Sequence, residues 1–153
     1  MIRTLSDNFG ETIMKLPLLI TTLLISAVLL ATPADSTVTY VDHEKVAKGG
    51  SLVTAPDLSV SVNRRTGPGQ VEVHDKETDT FYILDGEATI VTGGTMVGGK
   101  VSRPNQQLGT SINGGETRHL AKGDVMVIPA GVPHWFKEVP KEINYYVVKV
   151  IKP

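Results

Sequence analysis

Residues 123–135 read Gly123-Asp-Val-Met-Val-Ile-Pro129-Ala-Gly131-Val-Pro-His134-Trp135. A Gly-Asp pair makes a tight turn, an apolar run follows as a strand, and Pro129 with Gly131 makes the next turn. Pro133 then sets the backbone approach to His134, because its ring fixes one torsion and restricts the residue before it. A histidine bracketed by Pro133 and Trp135, directly after a rigid turn, is held in a defined place. Alone, such a residue is more often structural than a ligand.

The same grammar recurs on both sides of this stretch. Leu58 to Val62 alternates apolar and polar residues with period two, and Val71-Glu72-Val73-His74 does so again, as half-buried strands do. Further strand candidates lie within Thr80 to Leu84 and Ala88 to Val91, and at Arg118 to Leu120, Val125 to Ile128, His134 to Glu138 and Ile143 to Ile151. Turn signals separate them: Gly67-Pro68-Gly69, Asp85-Gly86, Gly93-Gly94, Gly98-Gly99, Gly114-Gly115 and Gly123-Asp124. Short strands and turns at this spacing predict an all-β sandwich or barrel in one domain. Gly93 to Gly115 is the least strand-like part and reads as a long hairpin or loop, with a lid over a barrel mouth as one role.

Composition narrows the function classes. The chain has 153 residues and a formal net charge of −1, and no basic block exceeds Arg64-Arg65, which argues against nucleic acid as a main partner. There is no cysteine, so disulfides, thiolate metal sites and a cysteine nucleophile are excluded.

Chemistry points first to Glu72 and His74. Residues two apart on a strand share a face, so these two project together, away from Val71 and Val73. Two adjacent ionisable side chains in an apolar interior are costly unless something pairs them. A divalent cation is one such partner, since carboxylate oxygen and neutral imidazole both ligate it. The competing reading is the solvent-facing side of an edge strand, and E-x-H alone does not decide between them.

Together the two segments resemble the paired motifs of the cupin superfamily. The first runs G-x5-H-x-H-x(3,4)-E-x6-G and the second G-x5-P-x-G-x2-H-x3-N. Gly67 begins the first, one residue closer than the pattern asks. Glu72 stands at the first His position, His74 at the second, Asp79 at the Glu position, and Gly86 closes the motif. The second matches from Gly123 through Pro129 and Gly131 to His134, and Glu138 replaces its closing Asn. The resemblance covers about residues 58 to 150 and implies a double-stranded β-helix, or jelly-roll, barrel. It also implies a divalent metal (Mn, Fe, Zn or Ni) on Glu72, His74, Asp79 and His134.

Cupins typically use three His and one Glu. Both departures here keep an oxygen ligand, which suits a retuned site better than a decayed one. Asp79 is one methylene shorter than Glu; without it, Glu72, His74 and His134 still form a two-His, one-carboxylate face. If both acids bind, the site's net charge is about zero, which lowers its Lewis acidity and its attraction for anionic substrates.

Two functions are compatible with this reading. One is a metal-dependent enzyme of oxygenase, isomerase or lyase type on a small organic substrate, with Glu138 as a base if it faces inward. The other is a non-catalytic periplasmic module for a small molecule or a metal. His43 and His119 lie off both motifs, and residues 75–78 of the charged run before Asp79 read as a solvated turn. By resemblance, a homodimer is expected.

The first thirty-odd residues stand apart. Leu16 to Leu30 is uncharged and mostly apolar, Lys15 precedes it, and Ala31-Thr32-Pro33-Ala34 follows, as in a secretory signal. A spanning helix wants about 20 apolar residues, so cleavage after Ala34 is expected rather than a permanent anchor. Asp7 and Glu11 are out of place in a basic leader, which puts the expected start at Met14. The expected organisation is a signal over residues 1–34, a polar lead-in over 35–57 and the barrel over 58–153, with the mature protein secreted or periplasmic.

Overall fold

A computed structural model describes residues 37–152. The proposed signal segment lies outside the described residues. The single helix among them, α1 (His43–Lys48), starts at Asp42, whose Oδ1 accepts from the Lys45 amide at 2.7 Å, an N-cap bond. It is far too short to cross a membrane.

Twelve strands follow: β1 (Gly50–Thr54), β2 (Leu58–Arg65), β3 (Val71–His74), β4 (Glu77–Thr92), β5 (Thr95–Val97), β6 (Lys100–Arg103), β7 (Gln106–Gly109), β8 (Ser111–Asn113), β9 (Glu116–Ala121), β10 (Val125–Ile128), β11 (His134–Glu138) and β12 (Ile143–Ile151). Every pairing is antiparallel. A strand forms at each place expected from residue 58 onward, and alternating burial is clear in β4, β10 and β12 but not in β2.

The long strand β4 organises the rest. Its first half pairs with β10 and β12, and its second half with β9 and β11. One side of the curled sheet therefore runs β1-β2-β12-β4-β10, and the other runs β9-β4-β11-β3-β7-β6. The change of partners falls at Gly86, beside a register shift in β12. Gly86 has φ 79°, and a Cβ there would lie 2.1 Å from the Glu142 carbonyl oxygen. Only glycine allows both the left-handed backbone and this close approach. Phe81, Ile83, Ala88 and Ile90 of β4 pack with Leu120, Phe136, Ile143, Tyr145 and Val147 in one core between the two sides. This all-β, jelly-roll architecture is the one expected.

Two expectations change. The lead-in is not merely polar, because β1 pairs with β2. The Ala55-Pro56-Asp57 break, read as a boundary, is the turn of that hairpin, closed by the Ala55 amide on the Leu58 carbonyl at 2.8 Å. The Gly93 to Gly115 stretch forms the long hairpin rather than the loop, built as two nested ladders, but it is not a lid. There β5 pairs with β8 and β6 with β7, and β7 continues onto β3, extending the sheet rather than covering its mouth.

Candidate metal centre

The turn before His134 is built as its residues demand. The Val132 amide donates to the Pro129 carbonyl at 3.2 Å with Gly131 at φ 82°, a turn that needs a left-handed third residue. The Gly131 amide donates to the His74 carbonyl at 2.8 Å, so the turn that aims His134 is fastened to the strand carrying His74. His134 also pairs in register with Glu72. Glu72 and His74 of β3 thus share one small volume with the sequence-distant His134 of β11.

Glu72, His74 and His134 each offer a ligand atom within 4.8 Å of the others. The two rings stand 5.2 Å apart between centroids. His74 Nε2 lies 3.3 Å from Glu72 Oε2 and 3.5 Å from Asp79 Oδ2, and His134 Nε2 lies 3.8 Å from the same Asp79 oxygen. Both histidines and Asp79 are almost wholly buried, while Glu72 is half-buried.

The His134 tautomer follows from its partner. His134 Nδ1 lies 3.1 Å from the Val132 carbonyl, which can only accept, so Nδ1 carries the proton and the Nε2 lone pair faces the cluster. His74 Nδ1 faces Glu77 Oε2 at 3.5 Å. Burial pushes the His134 pKa below its usual 6.5, against the Val132 carbonyl, Asp79 and Glu72, which pull it up. Burial raises Glu72, but His74, His134 and Arg65 outweigh it and hold the carboxyl below its usual value. A neutral His134 beside an ionised Glu72 is the pairing a divalent cation requires.

Two members of the cluster were not foreseen. Glu77 is buried, not part of a solvated turn, because β4 starts there and keeps its period: Glu77, Asp79, Phe81 and Ile83 all point inward. Lys149 stands directly opposite Asp79 in the β12–β4 ladder. Its ammonium lies 2.8 Å from both Asp79 oxygens and 2.9 Å from Glu77 Oε2. Arg103 reaches Glu77 Oε1 at 3.3 Å from the other side. Burying carboxylates without partners costs several kcal/mol each, and these cations offset much of that cost.

A cavity of about 80 Å³ opens beside the cluster, lined by Glu72, Asp79, His134, Arg65, Lys149 and aromatic side chains including Phe81 and Tyr145. The Arg65 guanidinium lies 5.0 Å over the Phe136 ring and 3.7 Å from Glu72. Gly69 leaves room for it, since a Cβ there would fall 2.5 Å from Arg65 Nη1. Gly69 is itself held by its carbonyl, which accepts from Trp135 Nε1 at 2.8 Å. Phe136 faces the cavity, as the sequence allowed. Glu138 does not: a register shift after Phe136 leaves it exposed, so it is removed as a candidate base. His119 is likewise exposed, near Glu87. The expectation of a charge-neutral site also changes, because Lys149 offsets Asp79 and Arg65 adds a second cation.

The cupin family model matches residues 30–150. The chain belongs to the cupin family. Among solved structures, the cupin domain of Cnp3 from Schizosaccharomyces pombe is similar at 17% identity, covering 68% of this chain and 64% of that one, with a TM-score of 0.50. A conserved protein of unknown function from Streptococcus pyogenes has 21% identity over 69% of this chain and 74% of its own, with a TM-score of 0.49. KdgF from a Halomonas species has 16% identity over 69% and 80%, also at 0.49. Likeness at such identity speaks for the fold alone. No curated protein matches the chain.

A divalent metal, which cupins commonly bind, fits the residues present. His74 Nε2 is buried with no hydrogen-bond partner, and it faces a carboxylate oxygen. Ligand atoms about 2.1 Å from one ion stand roughly 3.0–3.4 Å apart, and the separation of 3.3 Å between His74 and Glu72 falls in that range. Glu77 Oε2 stands behind His74, 3.5 Å from Nδ1, on the side from which carboxylates orient metal-bound imidazoles.

Proposed function

We propose that this cupin binds one divalent metal through Glu72, His74 and His134 and uses it to engage a small, oxygen-bearing anionic organic molecule. The observation that carries this reading is the convergence of two buried histidines and a carboxylate beside a cavity that also holds Arg65 and Lys149. A metal held there supplies Lewis acidity to a bound oxygen. Arg65 presents a planar fork suited to a carboxylate, and its Nε is buried without a partner. Phe81, Phe136 and Tyr145 exclude water from one side of the cavity.

The donor set of two histidines and one carboxylate suits Fe, Mn or Zn, and it leaves positions open for substrate, as oxygenase, isomerase or lyase chemistry requires. One observation favours the second reading, a non-catalytic binding module. Apart from the Tyr145 phenol, the titratable groups on the cavity wall are candidate ligands or lie in ion pairs, and Glu138 points away. Titration calorimetry with a panel of small mono- and dicarboxylates separates the outcomes. Binding that needs both metal and Arg65 supports the proposal. Equal binding to metal-free protein and to an Arg65→Met variant defeats it, and tight binding without product formation selects the module.

Export of the mature chain and a homodimer complete the proposal. Export is supported by the basic flank, apolar core and small-residue end of residues 15–34. The dimer is supported by the outer face of the β2-β12-β4-β10 side. There Val62, Tyr146, Tyr82 and Val125 form one register row, and Val60, Val148, Thr80 and Val127 the next. Val125 and Val127 are more than half exposed. A second copy of the same face covers it isologously.

A further inference from the structure

We infer that Lys149 is a positioning residue that holds Asp79 away from the metal, so that the centre keeps three protein ligands rather than four. This rests on the metal-binding reading above. By motif position Asp79 stands where a ligand is expected, and its place at the end of the inward row of β4 brings it to the cluster. Yet both its oxygens lie 2.8 Å from one ammonium. The same ammonium lies 2.9 Å from Glu77 Oε2 as an ion pair, so Lys149 is anchored on two carboxylates of the same strand.

The register enforces this arrangement, because Lys149 and Asp79 are directly opposed residues with side chains on the inward face. Asp79 Oδ2 stands within reach of the cluster, 3.5 and 3.8 Å from the two histidine nitrogens, so its pairing with Lys149 rather than distance is what withholds it. To ligate, Asp79 has to turn from a cation already paired with it in a low-dielectric interior, where such pairs are strong. The ammonium also repels a divalent ion in the adjacent site. Lys149 thereby lowers metal affinity and keeps a coordination position open toward the cavity. A reader of the motif alone counts one ligand too many.

The opposite role for Lys149, steering Asp79 onto the metal, has opposite consequences, so substitution separates the two. Cobalt(II) is titrated into metal-free wild type, Asp79→Asn, Lys149→Met, Lys149→Arg and the Lys149→Met/Asp79→Asn pair. Affinity is read by competition with a chelator, and coordination by the visible absorption, which weakens as coordination number rises. The inference predicts that Asp79→Asn stays within tenfold of wild type with an unchanged spectrum. Lys149→Met, freeing Asp79, binds at least tenfold more tightly with weakened absorption, within the range that groups behind metal ligands command. Lys149→Arg, which keeps the cation, behaves as wild type, and the paired variant loses the gain of Lys149→Met. A loss of tenfold or more in Asp79→Asn overturns the inference, as does unchanged or weaker binding in Lys149→Met. Should Lys149→Met fail to fold, as judged by its melting curve, the Asp79→Asn arm decides alone by the same tenfold limit. Absence of cobalt uptake by wild type itself sinks the metal reading and this inference with it. Uptake by wild type with failure in Asp79→Asn sinks this inference only.

Discussion

Replacing Gly86 with alanine tests whether the change of partners along β4 is what builds the barrel. Two costs add at this position. An L-residue at φ 79° is disfavoured by about 1–2 kcal/mol. The new methyl also lies 2.1 Å from the Glu142 carbonyl oxygen and 3.0 Å from the Ile143 Cα, both backbone atoms that cannot swing aside. Relieving that overlap moves β12 off β4 next to the fully buried Ile143, at a further cost of about 1–3 kcal/mol by analogy with overpacked cores. Gly131 is the control: its φ is 82°, but a Cβ there meets nothing within 4 Å. It bears the first cost alone. The gain from stiffening the unfolded chain is similar for both and cancels in the comparison. Urea unfolding at 25 °C in chelator, followed by Trp135 fluorescence and circular dichroism together, should show Gly86→Ala destabilised by about 2–5 kcal/mol and Gly131→Ala by about 1–2 kcal/mol. Equal losses at the two positions refute the bend-and-contact account.

Other expectations follow from the site and the surface. Glu77→Gln, which weakens the carboxylate behind His74 while keeping its shape, should lower metal affinity about tenfold in a chelator competition, and an unchanged affinity denies Glu77 that role. The lowered His134 pKa gives stability that is full above the unfolded value near 6.5 and declines as pH falls from there toward the folded value. Metal-free wild type should therefore lose stability as pH falls below about 6.5, and His134→Gln should flatten that decline in pH-dependent melting curves. Val125→Glu with Val127→Glu should convert a dimer to a monomer by light scattering, and a wild type that is monomeric at micromolar concentration refutes the dimer.

The architecture was legible where strands alternate cleanly. Leu58 to Val62 and Val71 to His74 alternate in sequence and form strands, although β3 is buried on both faces, and Gly123, Pro129 and Gly131 mark turns that the structure forms. Glu77 was hidden by composition: residues 75–79 look like a solvated turn, although counting back by two from Phe81 puts both Asp79 and Glu77 indoors. Lys149 was hidden differently. Residues 143–151 are apolar on both faces, so periodicity alone does not say which face of β12 is inward. Only the ladder register sets Lys149 against Asp79. The strands between Gly93 and Gly115 are three or four residues long, too short to display a period, and their glycine pairs resemble those of loops. Glu138 was misjudged because a bulge, invisible in sequence, exposes it.

Metal content of the purified, reconstituted chain tests the central claim most directly. Wild type dialysed against manganese, iron(II) or zinc under anaerobic conditions and then freed of excess ion should retain about one equivalent of at least one of them by elemental analysis, with a melting temperature raised over the chelated form. His74→Ala/His134→Ala should retain almost none and show no such rise. Equal, near-zero retention in both proteins would contradict the account.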